Sequence, residues 1–172
     1  MPMDCVPIEQ LPQSAQRVQR ALEGHGMAAR VVILPHSTRT AVDAAAAIGC
    51  SVAQIVKSLV FRADSGDAVL VLASGINRVD IEMLAGHAGV RLGKADADFV
   101  RTATGFAIGG VPPVGHPGPL ATFIDRDLLE LGSLWAAGGT PHAIFPVSPR
   151  ELVRITGGQV VPVTGASAAG ES

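Results

Sequence analysis

The chain has 172 residues, the length of about one domain, and its 48% apolar and 16% charged residues exclude intrinsic disorder. A net charge of −2 gives no global field of the kind that marks a nucleic-acid coat or a polybasic membrane binder, so neither DNA nor a membrane is an expected partner. Cys5 and Cys50 cannot build a secreted disulfide framework, and with no CxxC and no histidines four apart on a helix, no metal is expected.

Residues 1–12 carry Asp4, Glu9 and three prolines around no apolar core, so they do not read as a secretory signal. No run reaches the ~18 apolar residues of a membrane span. The expectation is a soluble, cytoplasmic domain over residues 14–164, with an N-terminal extension (1–13) and a flexible small-residue tail (165–172).

Residues 14–23 (SAQRVQRALE) predict a helix capped by Ser14, with Val18, Ala21 and Leu22 on one face. Residues 29–34 predict a short strand, and 35–39 a loop. Thr40 opens a second helix with Asp43 three residues on, and Gly49 closes it. Residues 55–62 and 68–73 flank a Ser-Gly connector and predict a β-hairpin. Helices follow at 79–89, with Asn77 the nearest cap, and at 96–104, with Asp96 and Asp98 in its first turn. Eight glycines and prolines between 108 and 119 forbid regular structure there. Strands are predicted at 120–124, 143–147 and 160–163, and Ser148-Pro149 starts a helix that ends at Gly157-Gly158. Strands cluster centrally without a βαβα rhythm. The fold class is therefore mixed α/β: a central, mainly antiparallel sheet or open barrel surrounded by helices.

Four features bear on chemistry. Strand alternation puts Lys57 with Ile55, Leu59 and Phe61, on the more apolar face. Burying an ammonium is costly unless an anion meets it. Lys57 is either a pocket lysine or a strand-end lysine reaching back to water. The segment Gly109-Gly-Val-Pro-Pro-Val-Gly115-His116 either presents fixed backbone donors to a carbonyl or serves as a rigid connector. A methyl at Gly110 is expected to crowd the site or strain the backbone, and to select against bulkier acyl groups. His116 and His142 titrate near neutrality and could position water, or lie on the surface. Asp125 either orients a ligand amine or caps the turn at 126–130.

Taken in order, VKSLVF around Lys57, the helix at 79–89, GGVPPVGH at 109–116, TFIDRDLLE at 122–130 and GGTPHAIFPVSPRELVRITGG at 138–158 resemble the YbaK/prolyl-tRNA synthetase-associated editing domain family. The likeness runs over residues 16–163. It implies an α/β fold with a mainly antiparallel sheet closing toward a barrel, and hydrolysis of mischarged aminoacyl-tRNA, without metal or cofactor. The family's pocket lysine falls on Lys57. Its GxxxP loop falls on Gly109, Gly110, Val111, Pro112 and Pro113, with Gly115 and His116 following, and its late aspartate on Asp125.

By this resemblance Lys57, Gly109 and Gly110 carry the catalysis. Val111, Pro112, Pro113, Gly115, His116, Asp125 and His142 bind the substrate. The partner is the 3′ end of an aminoacyl-tRNA, with prolyl-tRNA synthetase a candidate second partner. The KSL after Val56 is nearer to cysteine-type members, which points to tRNA(Pro) carrying cysteine or another small wrong amino acid. No synthetase module accompanies the domain, so action in trans is implied. Arg62, Arg78, Arg91, Lys94 and Arg101 are the candidate tRNA contacts. The rival reading is a tRNA- or nucleotide-binding module of the same fold that hydrolyses nothing.

Overall fold

A computed structural model describes residues 6–37 and 40–165, so the tip of the expected 35–39 loop and nearly all of the small-residue tail lie outside the described residues. The first helix, α1 (Gln13–Gly24), buries Ala15, Val18 and Leu22. It begins directly after Pro12 with no side-chain cap, so Ser14 stands in the first turn and not ahead of it. Leu11 is buried, and Val6 and Ile8 pack on the same core.

The strand expected at 29–34 shrinks to β1 (Val32–Ile33). Its neighbours find other partners. Buried Gln19 of α1 accepts from the Val31 N–H at 2.7 Å and donates to the Ala29 carbonyl at 3.2 Å. A side chain there does the work of a ladder, as buried backbone groups require. α2 (Ala41–Ile48) follows the sequence closely: Thr40 Oγ1 accepts from the Asp43 N–H, and Gly49 ends it at φ 84°.

β2 (Val56–Ala63) and β3 (Ala68–Ser74) form the expected antiparallel hairpin, with Lys57 opposite Ala73. α3 (Ile81–Ala88) starts two residues later than predicted. Its cap is Asp80, which accepts from the Met83 N–H, and not Asn77, whose side chain is engaged elsewhere. β4 (Leu92–Lys94) has no apolar alternation and is not foreseen by the sequence; its existence rests on pairing with Phe61, Arg62 and Ala63 of β2. α4 (Ala97–Thr104) is capped by Asp96 through the Phe99 N–H. β5 (Ala121–Asp125) runs into a 3-10 turn (Arg126–Glu130). β6 (Leu134–Ala137), also unforeseen, pairs with β7 (Ala143–Val147). α5 (Pro149–Thr156) carries a full capping box between Ser148 and Glu151 and leads to β8 (Gln159–Val161).

The strands form two sheets, ordered β4-β2-β3-β5-β8 and β1-β7-β6. The pairings β2–β3, β2–β4, β1–β7 and β6–β7 are antiparallel; β3–β5 and β5–β8 are parallel. The mixed, mainly antiparallel arrangement agrees with expectation. No closed barrel forms: among the described residues, the strand link between the sheets is a single parallel bridge, Ile55 to Trp135. The larger sheet is covered on both faces. Leu70, Leu72 and Ile124 face α1 and the second sheet, while Val69, Val71 and Phe123 face Leu84 of α3.

This topology leaves one edge open. β4 pairs with β2 only from Phe61 onward, and the bridge to Trp135 lies at Ile55. Residues 56–60 therefore have β3 on one side and, among the described residues, no strand on the other.

Candidate active site

A cavity of about 390 Å³ lies along that open edge. Val56, Lys57, Ser58 and Leu59 form one wall. Thr40, Ala41, Val42 and Ala44 of α2 form a second, and Ile108, Gly109 and Val111 a third; Ala137 and Ile144 supply the floor from the smaller sheet. A neighbouring cavity of about 230 Å³ shares Ser58, Leu59, Ile108 and Val111 and extends to Lys94.

Lys57 is half-buried at the start of β2. Its ammonium donates to the carbonyl of Asn77 at 2.5 Å. Burial pushes its pKa below the ordinary lysine value; Asp125 opposes that shift and Arg78 adds to it. Leu59 and Phe61, on the same strand face, pack with the cluster under α3, as alternation predicts. Ser58 Oγ is buried and has no hydrogen-bond partner among the described residues.

The glycine-proline loop is held from outside the cavity. Gly109 has φ 93°, a left-handed conformation that glycine accepts without strain. The Gly110 N–H closes a turn onto the Ala107 carbonyl at 3.0 Å. A Cβ on Gly110 would lie 2.7 Å from Thr140 Cα and 2.9 Å from its C and N, so that face of the loop abuts the 138–141 segment. Of the two expected effects of a methyl there, crowding the cavity or straining the backbone, the contacts favour the second: it would meet the Thr140 backbone. The N–H groups of Gly109 and Val111 donate to nothing among the described residues, and both residues line the cavity.

His116 anchors the far end of this loop. Its Nε2 lies 2.8 Å from the Pro112 carbonyl; a carbonyl only accepts, so Nε2 carries the proton. The ring meets Phe106 edge-on, and the Arg17 guanidinium stacks over Phe106 at 4.4 Å while donating to the Gly105 carbonyl. Burial lowers the His116 pKa, partly offset by the bond to Pro112.

Asp125 is 1% exposed. Its Oδ1 accepts from the Asp127 N–H, and its Oδ2 accepts from the Ser74 N–H and the Asn77 amide. It caps the turn, as one sequence reading had it, and also acts on Lys57. Of the residues singled out in the sequence, the cavity brings together Lys57, Gly109 and Val111. Gly110, Pro112, Pro113, Gly115, His116, Asp125 and His142 do not line it; His142 is exposed, with its N–H donating to Thr140 Oγ1. Sequence reasoning missed Asn77, which signalled only a cap, and Ser58, which read as an ordinary strand residue.

The fold and the site define a class: a two-sheet α/β domain with a lysine at an open strand edge, faced by a glycine-proline loop. The aminoacyl-tRNA editing domain matches residues 36–155, and the chain belongs to that family. It is 51% identical to a solved structure described as a "putative trans-editing enzyme for prolyl tRNA synthetase", over 91% of this chain and all of that one, with a TM-score of 0.86. It is 35% identical to the hypothetical protein APE2540, over 86% of this chain and 98% of that one, with a TM-score of 0.80. The uncharacterised protein YwhH of Bacillus subtilis is 29% identical over 116 residues, 67% of this chain and 74% of that protein. Among the described residues, no helix is long and apolar enough to cross a membrane.

Proposed function

We propose that the protein is an aminoacyl-tRNA deacylase acting in trans, and that its substrate is tRNA(Pro) carrying cysteine or another small wrong amino acid. The observation that carries the reading is that Lys57, Gly109 and Val111 line one cavity of about 390 Å³, with the Gly109 and Val111 N–H groups unpartnered among the described residues. That volume lies near the lower end of ligand sites, as a small acyl group needs. The likeness to the prolyl trans-editing structure supports the choice of tRNA.

In this reaction water adds to the ester carbonyl, the bond from carbonyl carbon to ribose oxygen breaks, and the departing ribose oxygen takes a proton from the added water to become a hydroxyl, releasing the free amino acid. The ester is already activated, so the protein's task is to orient it and to stabilise negative charge. Lys57 supplies a cation for the 3′ end or for the developing oxyanion. The Gly109 and Val111 N–H groups orient the carbonyl. Gly110 contributes shape, since its N–H is taken by Ala107. His116 and Asp125 act behind the cavity, through Pro112 and Lys57. Excluding large side chains is within reach of a small pocket, while separating isosteres is not, because one methylene is worth only ~1–3 kcal/mol.

The test is deacylation of a panel of mischarged tRNAs by the wild type and Lys57→Ala. The expected result is acceleration on small acyl groups and a loss of about 100-fold or more in the variant, the scale of losing one charge-stabilising donor. Its thermal midpoint should hold or rise, because a desolvated ammonium is removed. Where the ammonium is the active form, kcat/KM falls as pH rises through the lowered Lys57 pKa. A wild type that accelerates no member of the panel overturns the proposal.

A further inference from the structure

Asn77 lies in the turn between β3 and α3, outside the cavity lining. Its side-chain amide donates to Asp125 Oδ2 at 2.7 Å and to Asp127 Oδ2 at 2.8 Å. An asparagine amide has two N–H donors, and here each serves a different carboxylate. Both acceptors are carboxylate oxygens, which fixes the nitrogen end of the amide toward them. The carbonyl of the same residue accepts from the Lys57 ammonium. One residue therefore stands between the lysine and two acids. Among the described residues Lys57 forms no ion pair, although Asp125 is close enough to favour its charge.

We propose that Asn77 is a positioning residue that keeps Asp125 and Asp127 occupied, so that the Lys57 ammonium stays free of a salt bridge and available to an anionic substrate group. A carboxylate against the ammonium would cancel much of its field. The neutral carbonyl of Asn77 fixes its place and uses one of its three N–H donors. The charged groups that act on Lys57 are Asp125 at the end of β5 and Arg78 in the same turn as Asn77; Asp127, two residues beyond Asp125, is bonded to the same Asn77 amide. Losing the Asn77 amide frees Asp127 Oδ2 and leaves Asp125 held only by the Ser74 and Asp127 N–H groups. Lys57 then gains a close acidic partner, and its affinity for an incoming anion falls.

The role in catalysis rests on the proposed deacylase reading, but the positioning itself is testable without substrate. The chain has only two lysines, Lys57 and Lys94. Isotope-labelled lysine side chains therefore give two NMR signals, assigned with Lys94→Arg. In Asn77→Ala the Lys57 titration should move up by about one pH unit or more, the effect of a new opposite charge within ~4–6 Å. Asn77→Ser, which keeps one donor and suits a turn, should give a smaller upward shift and guards against a poorly folded alanine variant. On a misacylated tRNA, kcat/KM should fall about tenfold or more in Asn77→Ala, and the alkaline limb should move upward with the lysine titration. Unchanged Lys57 titration in both variants overturns the proposal, whatever the activity. If the wild type hydrolyses no aminoacyl-tRNA, the deacylase reading fails, and the titration still decides the role of Asn77.

Discussion

Gly110→Ala separates a packing role of the glycine-proline loop from a direct role in the cavity. The residue has no left-handed φ, so an alanine backbone is allowed, and the whole penalty is steric. The new Cβ would sit 2.7 Å from Thr140 Cα, about 0.8 Å inside the ~3.5 Å of an ordinary carbon contact. The three nearest atoms are main chain, so no side chain can rotate away, and the 109–113 and 138–141 segments must part. Overpacking of this kind costs about 1–3 kcal/mol, which for a chain of this length lowers the midpoint by roughly 2–12 °C. Thermal unfolding of Gly110→Ala, Thr140→Gly and the double variant measures it. Trimming Thr140 removes none of the clashing atoms, so the double variant should be no more stable than Gly110→Ala. Deacylation should fall by one common factor for small and bulky acyl groups, because the methyl points away from the cavity. A wild-type midpoint, or rescue by Thr140→Gly, refutes the packing argument. Selective loss of the bulkier substrate would show that the methyl enters the cavity after all.

Two further outcomes follow from groups around the cavity. His116 has its pKa lowered by burial, so the unfolded chain binds its proton more readily than the fold does. Stability should be complete above about pH 6.5, the free imidazole value, and should decline as pH falls from there through the lowered folded value. His116→Gln keeps a donor for Pro112 that does not titrate, and denaturant midpoints from pH 7.5 to 4.5 should decline less steeply in that variant; identical profiles refute the assignment. Ser58→Ala deletes a buried hydroxyl with no partner among the described residues, which removes a desolvation cost of about 1–3 kcal/mol in exchange for little lost packing. Its thermal midpoint should equal or exceed the wild type, and a clear fall in a melting experiment would mean that Ser58 is bonded in solution.

The elements legible in the sequence are those written in local chemistry. α2 and α5 announce themselves through Thr40, Asp43, Ser148 and Pro149, and the hairpin through two β-branched runs around a Ser-Gly turn. β4 and β6 are three and four residues long, too short to show a period, and exist because β2 and β7 offer them partners. The site divides in the same way. The face of Lys57 follows from alternation alone. Asn77 meets Asp125 across 48 residues of chain, and nothing in its neighbours marks a turn asparagine as the partner of a distant acid. Gly110 is visible as a glycine that matters, while the direction of its missing side chain depends on where the 138–141 segment packs.

An unpaired strand edge invites pairing, from its own chain or from another. Residues 56–60 present such an edge to the cavity, and the loop through Gly109 and Val111 faces it. An ordinary segment in that place could pair with β2, close the gap between the sheets and fill the space. This one cannot continue a ladder: Pro112 and Pro113 have no N–H to give, Gly109 holds a φ outside the strand region, and the Gly110 N–H is tied back to Ala107. His116 then fixes the Pro112 carbonyl from behind. The composition that rules out regular structure is thus what keeps the edge of β2 open. On the proposed reading, Lys57 and the Gly109 and Val111 N–H groups, which have no partner among the described residues, can converge on a small acyl group because the loop opposite them is unable to become a strand.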